Sequence, residues 1–185
     1  KSFLGWDQNN NIFYYSSNEE SPLRSAVYKI DAKGKKTKLS SRTGTNEAIF
    51  STNQKYYINK YSGIKTPTLI TINDNKGKEL TTLLDNAELK AKVSSLNMPS
   101  KEFFSFKTSD GVELNGWIMK PHNFDANKKY PVIMHQYSGP GSQMVKDDWS
   151  AGSMGSGGAL DSYLAQQGFI CVCVDGRGTG GRGAE

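Results

Sequence analysis

The chain has 185 residues, a formal net charge of +5 and a hydrophobic fraction of 36%. It contains no apolar run of the ~18 residues that a membrane-spanning helix needs, and no signal peptide is recognisable. No RNA- or DNA-binding motif accompanies the positive charge, so nucleic-acid binding is not expected. The sequence starts at Lys1 without Met, which suits a mature or excised segment.

The first half of the sequence repeats itself. Phe13–Ser16 is answered 42 positions later by Lys55–Ile58, and Gly34 is answered 43 positions later by Gly77. Each repeat contains short strands separated by turns, which in the second repeat cover Ala48–Phe50, Lys55–Tyr61, Pro67–Ile72 and Lys78–Leu83. A period of about 40–45 residues predicts β-propeller blades, with a plain β-meander or sandwich as the alternative. Because two blades cannot close a ring, the remaining blades are expected upstream of this sequence.

A short helix is predicted after the repeats. Asp85 can cap it, and Leu89, Val93 and Leu96 follow at helical spacing. Met98-Pro99 ends this helix and marks the predicted boundary between a first domain, residues 1–98, and a second, residues 99–185.

The second half predicts a different architecture. An Asp-Gly turn at Asp110 joins Phe103–Thr108 to Val112–Met119, which is a strong hairpin signal. Two apolar strands follow, Val132–Tyr137 and Phe169–Val174. Between them a helix is predicted over Ala159–Gln167, with one apolar face and Gly168 at its end; the face consists of Leu160, Tyr163 and Leu164. Strand, helix and strand predict a parallel βαβ unit, and a hairpin that leads into such a unit is how α/β-hydrolases begin.

Tyr137 is the candidate catalytic residue. It ends the first apolar strand and precedes a glycine-rich loop, residues 138–142, where α/β-hydrolases place part of their oxyanion hole. Its phenol could donate a hydrogen bond to an oxyanion that forms when an acyl group is attacked. A tyrosine that merely packs under the loop is the alternative, and position alone leaves both open.

Two motifs carry a family resemblance. Tyr137–Gln143 resembles the Tyr-x-Gly-Pro-x-Ser-Gln stretch of the dipeptidyl peptidase IV branch of the prolyl oligopeptidase family, and Asp175–Gly183 is similar to its Asp-Gly-Arg-Gly-Ser/Thr-Gly segment. Tyr163–Ala165 matches the helix between them, and the region from Asp85 to Ser100 resembles the crossing from propeller to hydrolase. The resemblance covers essentially the whole chain.

The resemblance implies a serine exopeptidase that releases Xaa-Pro or Xaa-Ala dipeptides from the amino termini of peptides, with Tyr137 in the oxyanion hole. It implies no cofactor, a homodimeric full-length protein and an extracytoplasmic location. The family's catalytic serine, acid and histidine would lie beyond Glu185, so this chain alone is expected to be inactive. A non-catalytic relative that acts as a binding protein is an alternative.

Other motifs suggest competing functions. Ala151–Gly155 imitates a nucleophile elbow, but the polar residues before it do not predict the buried strand that an elbow needs. Gly176–Gly181 satisfies a dinucleotide fingerprint after a strand, which makes a nucleotide-binding module the main alternative. Arg177 and Arg182 in that loop also fit a structural role, in which they bind carbonyls or carboxylates. Glu19-Glu20 is interpreted as a solvated turn.

The remaining reactive side chains favour structural roles. His122 and His135 are the only histidines, and the position of His135 within an apolar strand favours a hydrogen-bonded core histidine over a catalytic base. Cys171 and Cys173 are interpreted as buried small hydrophobic residues. No Cys/His cluster has metal-ligand spacing, so no metal site is predicted.

Open edges are expected in both halves. The Phe169–Val174 strand is expected to lack its next parallel partner, and contacts with other segments are expected to bury Val172 or Val174 and the Tyr56–Ile58 strand.

Overall fold

The computed structural model describes residues 1–137, 139–151 and 155–182. The chain forms two compact units, Lys1–Ala87 and Glu88–Glu185. None of the helices in the described ranges is long and apolar enough to cross a membrane.

The first unit consists of two antiparallel sheets of four strands, each following the chain order. The first sheet contains β1 (Ser2–Asp7), β2 (Ile12–Ser17), β3 (Ala26–Asp31) and β4 (Lys36–Lys38). The second contains β5 (Thr45–Phe50), β6 (Tyr56–Gly63), β7 (Thr66–Asp74) and β8 (Glu79–Leu84). Both sheets fit the propeller blades that the 42-residue repeat predicts, and the four strands of the second repeat lie where the sequence predicts them.

The two sheets share the same turn between their third and fourth strands. In the first, the Asp31 carboxylate accepts hydrogen bonds from the amides of Lys33 and Lys35, both at 2.9 Å. In the second, Asp74 accepts hydrogen bonds from the amides at positions 76 and 78, also at 2.9 Å. Gly34 and Gly77 have φ angles of 81° and 91°, which side-chain-bearing residues rarely adopt. The spacing of the glycines in the sequence therefore reflects a repeated turn.

An aromatic and aliphatic cluster forms the core of the first unit. Tyr14 and Tyr57 are buried on equivalent strands, β2 and β6, and Phe50 of β5 lies between their rings at centroid distances of 4.3 and 4.9 Å. The other buried members of the cluster are Val27, Leu39 and Ala48. Aromatic pairs at such distances add about 0.5–1.5 kcal/mol to the stabilisation that burial itself gives. The alternation of buried and exposed residues along β6 follows from a strand that packs on one face.

The predicted helix after the repeats is α1 (Ala87–Ser95). The Asp85 carboxylate accepts a hydrogen bond from the Ala87 amide at 3.0 Å, as the predicted cap requires. No residue of α1 is buried, and Leu89 is exposed.

The second unit contains a mixed sheet of four strands and one further helix. Its elements are β9 (Glu102–Lys107), β10 (Glu113–Met119), β11 (Val132–His135), α2 (Ala159–Gln166) and β12 (Ile170–Val174). The strand order is β11-β12-β10-β9, in which β9 and β10 form the predicted hairpin, and β11 and β12 are the predicted parallel pair. β11 ends two residues before Tyr137, earlier than the sequence predicts.

The expectation that β12 has an open edge is wrong. This strand lies inside the sheet, parallel to β11 on one side and antiparallel to β10 on the other. The connection through α2 places β12 between β11 and β10. The hairpin strand β10 is therefore the second neighbour of β12. Among the described strands, the edges of this sheet are β9 and β11, and on β11 the side chains of Val132 and Met134 are 60% and 55% exposed.

The apolar face predicted for α2 is not the face that it buries. Leu160 and Tyr163 are exposed, whereas the buried residues are Asp161, Ser162 and Ala165. Hydrogen bonds compensate for the burial of the polar pair: Asp161 binds His135 and the Gly157 amide, and the Ser162 hydroxyl contacts the Pro99 carbonyl. Gly168 follows the helix with a φ of 93°, which agrees with its predicted role at the helix end.

Candidate active site

Tyr137 lies at the carboxyl end of the edge strand β11. Its side chain is 62% exposed, so the fold leaves the ring accessible rather than packing it in the core. The loop that follows returns to it, because the Ser142 hydroxyl lies 3.3 Å from the Tyr137 carbonyl oxygen and 2.6 Å from that of Gly139. Ser138 lies outside the described residues. An accessible phenol at the carboxyl end of a parallel strand is placed where active sites of such sheets occur.

Gly139 lies close to this phenol. A Cβ atom at Gly139 would lie 3.2 Å from the Tyr137 hydroxyl oxygen and 3.2 Å from the ring carbon that bears it. These distances are tighter than ordinary van der Waals contact, so a side chain here would push against the ring. The loop thus limits where the hydroxyl can lie.

Asp175 joins the loop after β12 to the loop after β11. Its side chain is buried, and its two carboxylate oxygens accept hydrogen bonds from the amides of Met144 and Val145 at 2.9 and 3.0 Å. A second bond runs from the Gly180 amide to the Ser142 carbonyl at 2.6 Å. A Cβ atom at Gly180 would lie 3.0 Å from the Gly141 carbonyl oxygen, which favours glycine at this close approach. The two loops of the predicted motifs therefore form one hydrogen-bonded structure.

His135 ends β11 and binds a buried carboxylate. Its Nε2 atom lies 2.5 Å from Asp161 Oδ1, and the other oxygen of Asp161 accepts the Gly157 amide at 2.6 Å. The prediction of a hydrogen-bonded histidine is confirmed, although the side chain is only partly buried because β11 is an edge strand. The sequence gives no indication of Asp161 as its partner, because Asp161 lies 26 positions away on a helix.

The comparisons with known proteins agree with the two motifs. Residues 1–68 match the family model described as the dipeptidyl peptidase IV N-terminal region. A crystal structure of Porphyromonas gingivalis dipeptidyl peptidase 4 is 49% identical over the whole of this chain, with a TM-score of 0.91. This chain is similar over its whole length to a dipeptidyl peptidase 4. The resemblance predicted from the motifs is confirmed.

Further relatives show the same relationship and its extent. A probable dipeptidyl-aminopeptidase B of Podospora anserina is 37% identical over 94% of this chain, and the corresponding protein of Chaetomium globosum is 36% identical over the same share. A putative dipeptidyl aminopeptidase IV structure from Bacteroides ovatus has a TM-score of 0.81 at 29% identity. The chain spans 19% of the length of each of the two fungal proteins and 25% of the P. gingivalis chain.

The arginines of the dipeptidyl peptidase IV-like loop after β12 have structural partners. Arg177 forms an ion pair with Asp110 in the hairpin turn, and Arg182 donates to the Glu113 carbonyl. This is the role that the sequence suggested as an alternative to nucleotide binding. Residues 177–182 are turns and bends, whereas a dinucleotide fingerprint opens a helix.

The other two motifs from the sequence are the elbow-like segment and the Glu19-Glu20 pair. Of the elbow-like segment Ala151–Gly155, residues 152–154 lie outside the described residues, and no strand precedes it in residues 139–151. Glu19 and Glu20 lie in the turn after β2 and form ion pairs with lysines, which agrees with their interpretation as a surface turn. The hydrogen bond from Lys38 holds the pKa of Glu20 below its usual value.

The two cysteines are buried and unpaired, as predicted. Burial, with a smaller effect of the nearby Asp161 carboxylate, raises the pKa of Cys171 to about 11, so this thiol is protonated at neutral pH. Among the residues with described positions, no group of three or more His, Cys, Asp or Glu side chains is arranged to hold a metal ion.

Lys101 is a buried charge that the sequence analysis did not identify. Its ammonium group lies 3.6 Å from Asp148 Oδ1 in the same unit. Burial lowers the pKa of Lys101, and the Asp148 carboxylate partly opposes that shift. A buried lysine at the start of a β-strand resembles any exposed lysine in sequence, so no local signal marks it.

Proposed function

We propose that this chain is part of a serine peptidase that releases dipeptides from the amino termini of peptides, with proline or alanine as the second residue, and that Tyr137 supplies an oxyanion-hole hydrogen bond. The exposed phenol at the end of β11, held beside the loop that Asp175 anchors, is the observation that carries the proposal. The relationship to proteins named dipeptidyl peptidases supports the reaction class.

The proposed role of Tyr137 follows from acyl-transfer chemistry. When a serine attacks a peptide carbonyl, negative charge develops on the carbonyl oxygen, and a phenol O–H placed near that oxygen stabilises the transition state more than the substrate. An exposed phenol of this kind is available to substrate without movement of a core side chain. The serine, its base and the acid would come from other segments of the full-length protein. His135 is engaged by Asp161, and we expect this chain alone to be inactive.

The same proposal assigns each half of the chain to a domain of the full-length protein. Residues 1–98 would contain the last propeller blades and a connecting helix, and residues 99–185 would be the start of an α/β-hydrolase domain. The parallel pair β11–β12, with α2 between its strands, and the antiparallel hairpin beside it support the hydrolase assignment. The full-length protein is proposed to be an extracytoplasmic homodimer that acts on peptides without a cofactor.

Substitution of Tyr137 in the full-length protein tests the proposal. We expect Tyr137→Phe to lower kcat on a fluorogenic Xaa-Pro substrate by about 10²–10³-fold, which is the effect of removing one oxyanion donor. The melting temperature should not change, because the ring stays and the side chain is exposed.

The control is Tyr163→Phe, which removes the hydroxyl from an exposed tyrosine on α2 and should leave kcat unchanged. Near-normal turnover of Tyr137→Phe would contradict the oxyanion-hole role and indicate that Tyr137 only packs under the loop. Absence of any dipeptide release by the unmodified full-length protein would favour a binding protein instead.

A further inference from the structure

The position of Tyr137 depends on the end of β11. It follows a four-residue strand that pairs with β12 on one side, and its side chain is largely exposed. Catalytic groups must be held to within about 0.5 Å of the productive geometry. Some neighbouring contact must therefore hold the end of β11 in place.

The contact between His135 and Asp161 meets this need. His135 is the last residue of β11, two positions before Tyr137, and its Nε2 atom is 2.5 Å from the Asp161 carboxylate. An ionised carboxylate only accepts hydrogen bonds, so the imidazole N–H is the donor. Hydrogen bonds to a charged group are stronger than those between neutral groups.

Asp161 is itself held rigidly. It is 1% exposed, it lies in the first turn of α2, and its second oxygen accepts the Gly157 amide at 2.6 Å. The buried Trp117 of β10 also lies near the imidazole, with its ring centroid 6.3 Å from that of His135. The imidazole therefore binds Asp161 of α2 and lies beside Trp117 of the sheet. Because His135 is the last residue of β11, these neighbours restrain the end of that strand.

We infer that His135 and Asp161 form a positioning pair that holds the end of β11 so that the Tyr137 hydroxyl is aligned with the developing oxyanion. This inference rests on the proposed function of Tyr137. Neither member of the pair contacts the reacting atoms in this account; both act through Tyr137.

The test measures kcat, KM and melting temperature of the full-length protein with a fluorogenic Xaa-Pro substrate. Four variants are compared: His135→Leu, His135→Gln, Tyr137→Phe and the double variant with both His135→Leu and Tyr137→Phe. We expect His135→Leu to lower kcat by about 10–100-fold with little change in KM, since a displacement of about 1 Å costs up to 10²-fold. His135→Gln should restore most of kcat, because its amide N–H can donate to Asp161.

The double variant separates positioning from general destabilisation. If His135 acts through the Tyr137 hydroxyl, His135→Leu should reduce kcat little further once that hydroxyl is gone. An undiminished loss in the Tyr137→Phe background would overturn the inference, as would a normal kcat in His135→Leu. Should the leucine variant fail to fold, Asp161→Asn replaces it, since its amide cannot accept both hydrogen bonds; the same losses are expected, and a normal kcat overturns the pair.

The variants distinguish failure of the proposed function from failure of the positioning pair. A normal kcat in Tyr137→Phe refutes the proposed function of Tyr137 and the positioning pair with it. A large loss in Tyr137→Phe together with a normal kcat in His135→Leu refutes the positioning pair alone.

Discussion

The two units of the chain are stabilised in different ways. In Lys1–Ala87, the same four-stranded sheet occurs twice, with equivalent aspartate turns and an apolar core rich in tyrosine and phenylalanine. In Glu88–Glu185, loops and strand ends are joined by buried carboxylates, Asp161 and Asp175, that accept hydrogen bonds from distant residues. Repeated turns and an apolar core characterise the first unit, whereas single long-range polar contacts build the candidate site of the second.

The largest expected effect of a single substitution is in the aromatic core of the first unit. We expect Tyr57→Ala to lower the free energy of unfolding by about 3–5 kcal/mol, because it leaves a cavity among buried aromatic rings. Tyr57→Phe is the matched control. The Tyr57 hydroxyl is buried without a hydrogen-bond partner among the described residues, so its removal breaks no bond. Equal losses in the two variants, measured by urea unfolding, would contradict the assignment of the ring to the core.

Alkaline pH should weaken the same core. Burial, with a smaller contribution from Asp74, raises the pKa of Tyr57 from 10.0 to about 12. Between pH 10 and 12 the unfolded chain therefore releases a proton that the folded chain retains, and stability falls as the pH rises. Below pH 10 this residue should contribute no pH dependence. In Tyr57→Phe the decline above pH 10 should be shallower, and an identical pH profile of unfolding would exclude Tyr57 as a source.

In the second unit, loss of the Asp175 carboxylate should have a more local effect. Asp175→Ala leaves the amides of Met144 and Val145 without their acceptor, which costs about 1–3 kcal/mol when such groups are buried. Hydrogen–deuterium exchange of residues 139–145 should accelerate. The control is Asp110→Ala, which removes the exposed contacts of Asp110 with Arg177 and with the Thr108 hydroxyl and should cost about 0–1 kcal/mol. Unchanged exchange in the Asp175 variant would mean that the two loops are held by other contacts.

The smallest expected effects test the equivalence of the two sheets. Asp31→Ala and Asp74→Ala each remove two side-chain hydrogen bonds from a turn, and each should lower stability by about 0.5–1.5 kcal/mol. The two losses should be equal within error, because the turns have the same geometry. If one variant cost several times as much as the other, as measured by thermal unfolding, the turns would not be equivalent.

Sequence patterns predicted the features that depend on neighbouring residues. The repeated turns at Gly34 and Gly77, the strand over Lys55–Tyr61 and the Asp-Gly hairpin all correspond to observed elements. The helix Ala159–Gln166 was also predicted to within one residue. These features are set by local backbone preferences and by which side chains alternate between solvent and core.

Features that depend on pairing between distant segments were predicted poorly. The interior position of β12 depends on which strand the hairpin joins, and the sequence of Ile170–Val174 is equally apolar at an edge or in the middle of a sheet. The buried face of α2 was missed because Asp161 is polar, and its burial becomes favourable only when the partners at His135 and Gly157 are known. Tyr137 remains a predicted site residue, and that prediction rests on its specific motif rather than on its surroundings.

The most direct test of the central claim is a crystal structure of the full-length protein with a dipeptide-like boronic acid bound to the proposed catalytic serine. The tetrahedral adduct carries an oxygen where the oxyanion would form. The account predicts that the Tyr137 hydroxyl lies about 2.7–3.1 Å from that oxygen. A bound adduct whose oxygen is held by other donors, with the Tyr137 ring turned away from it, would contradict the account.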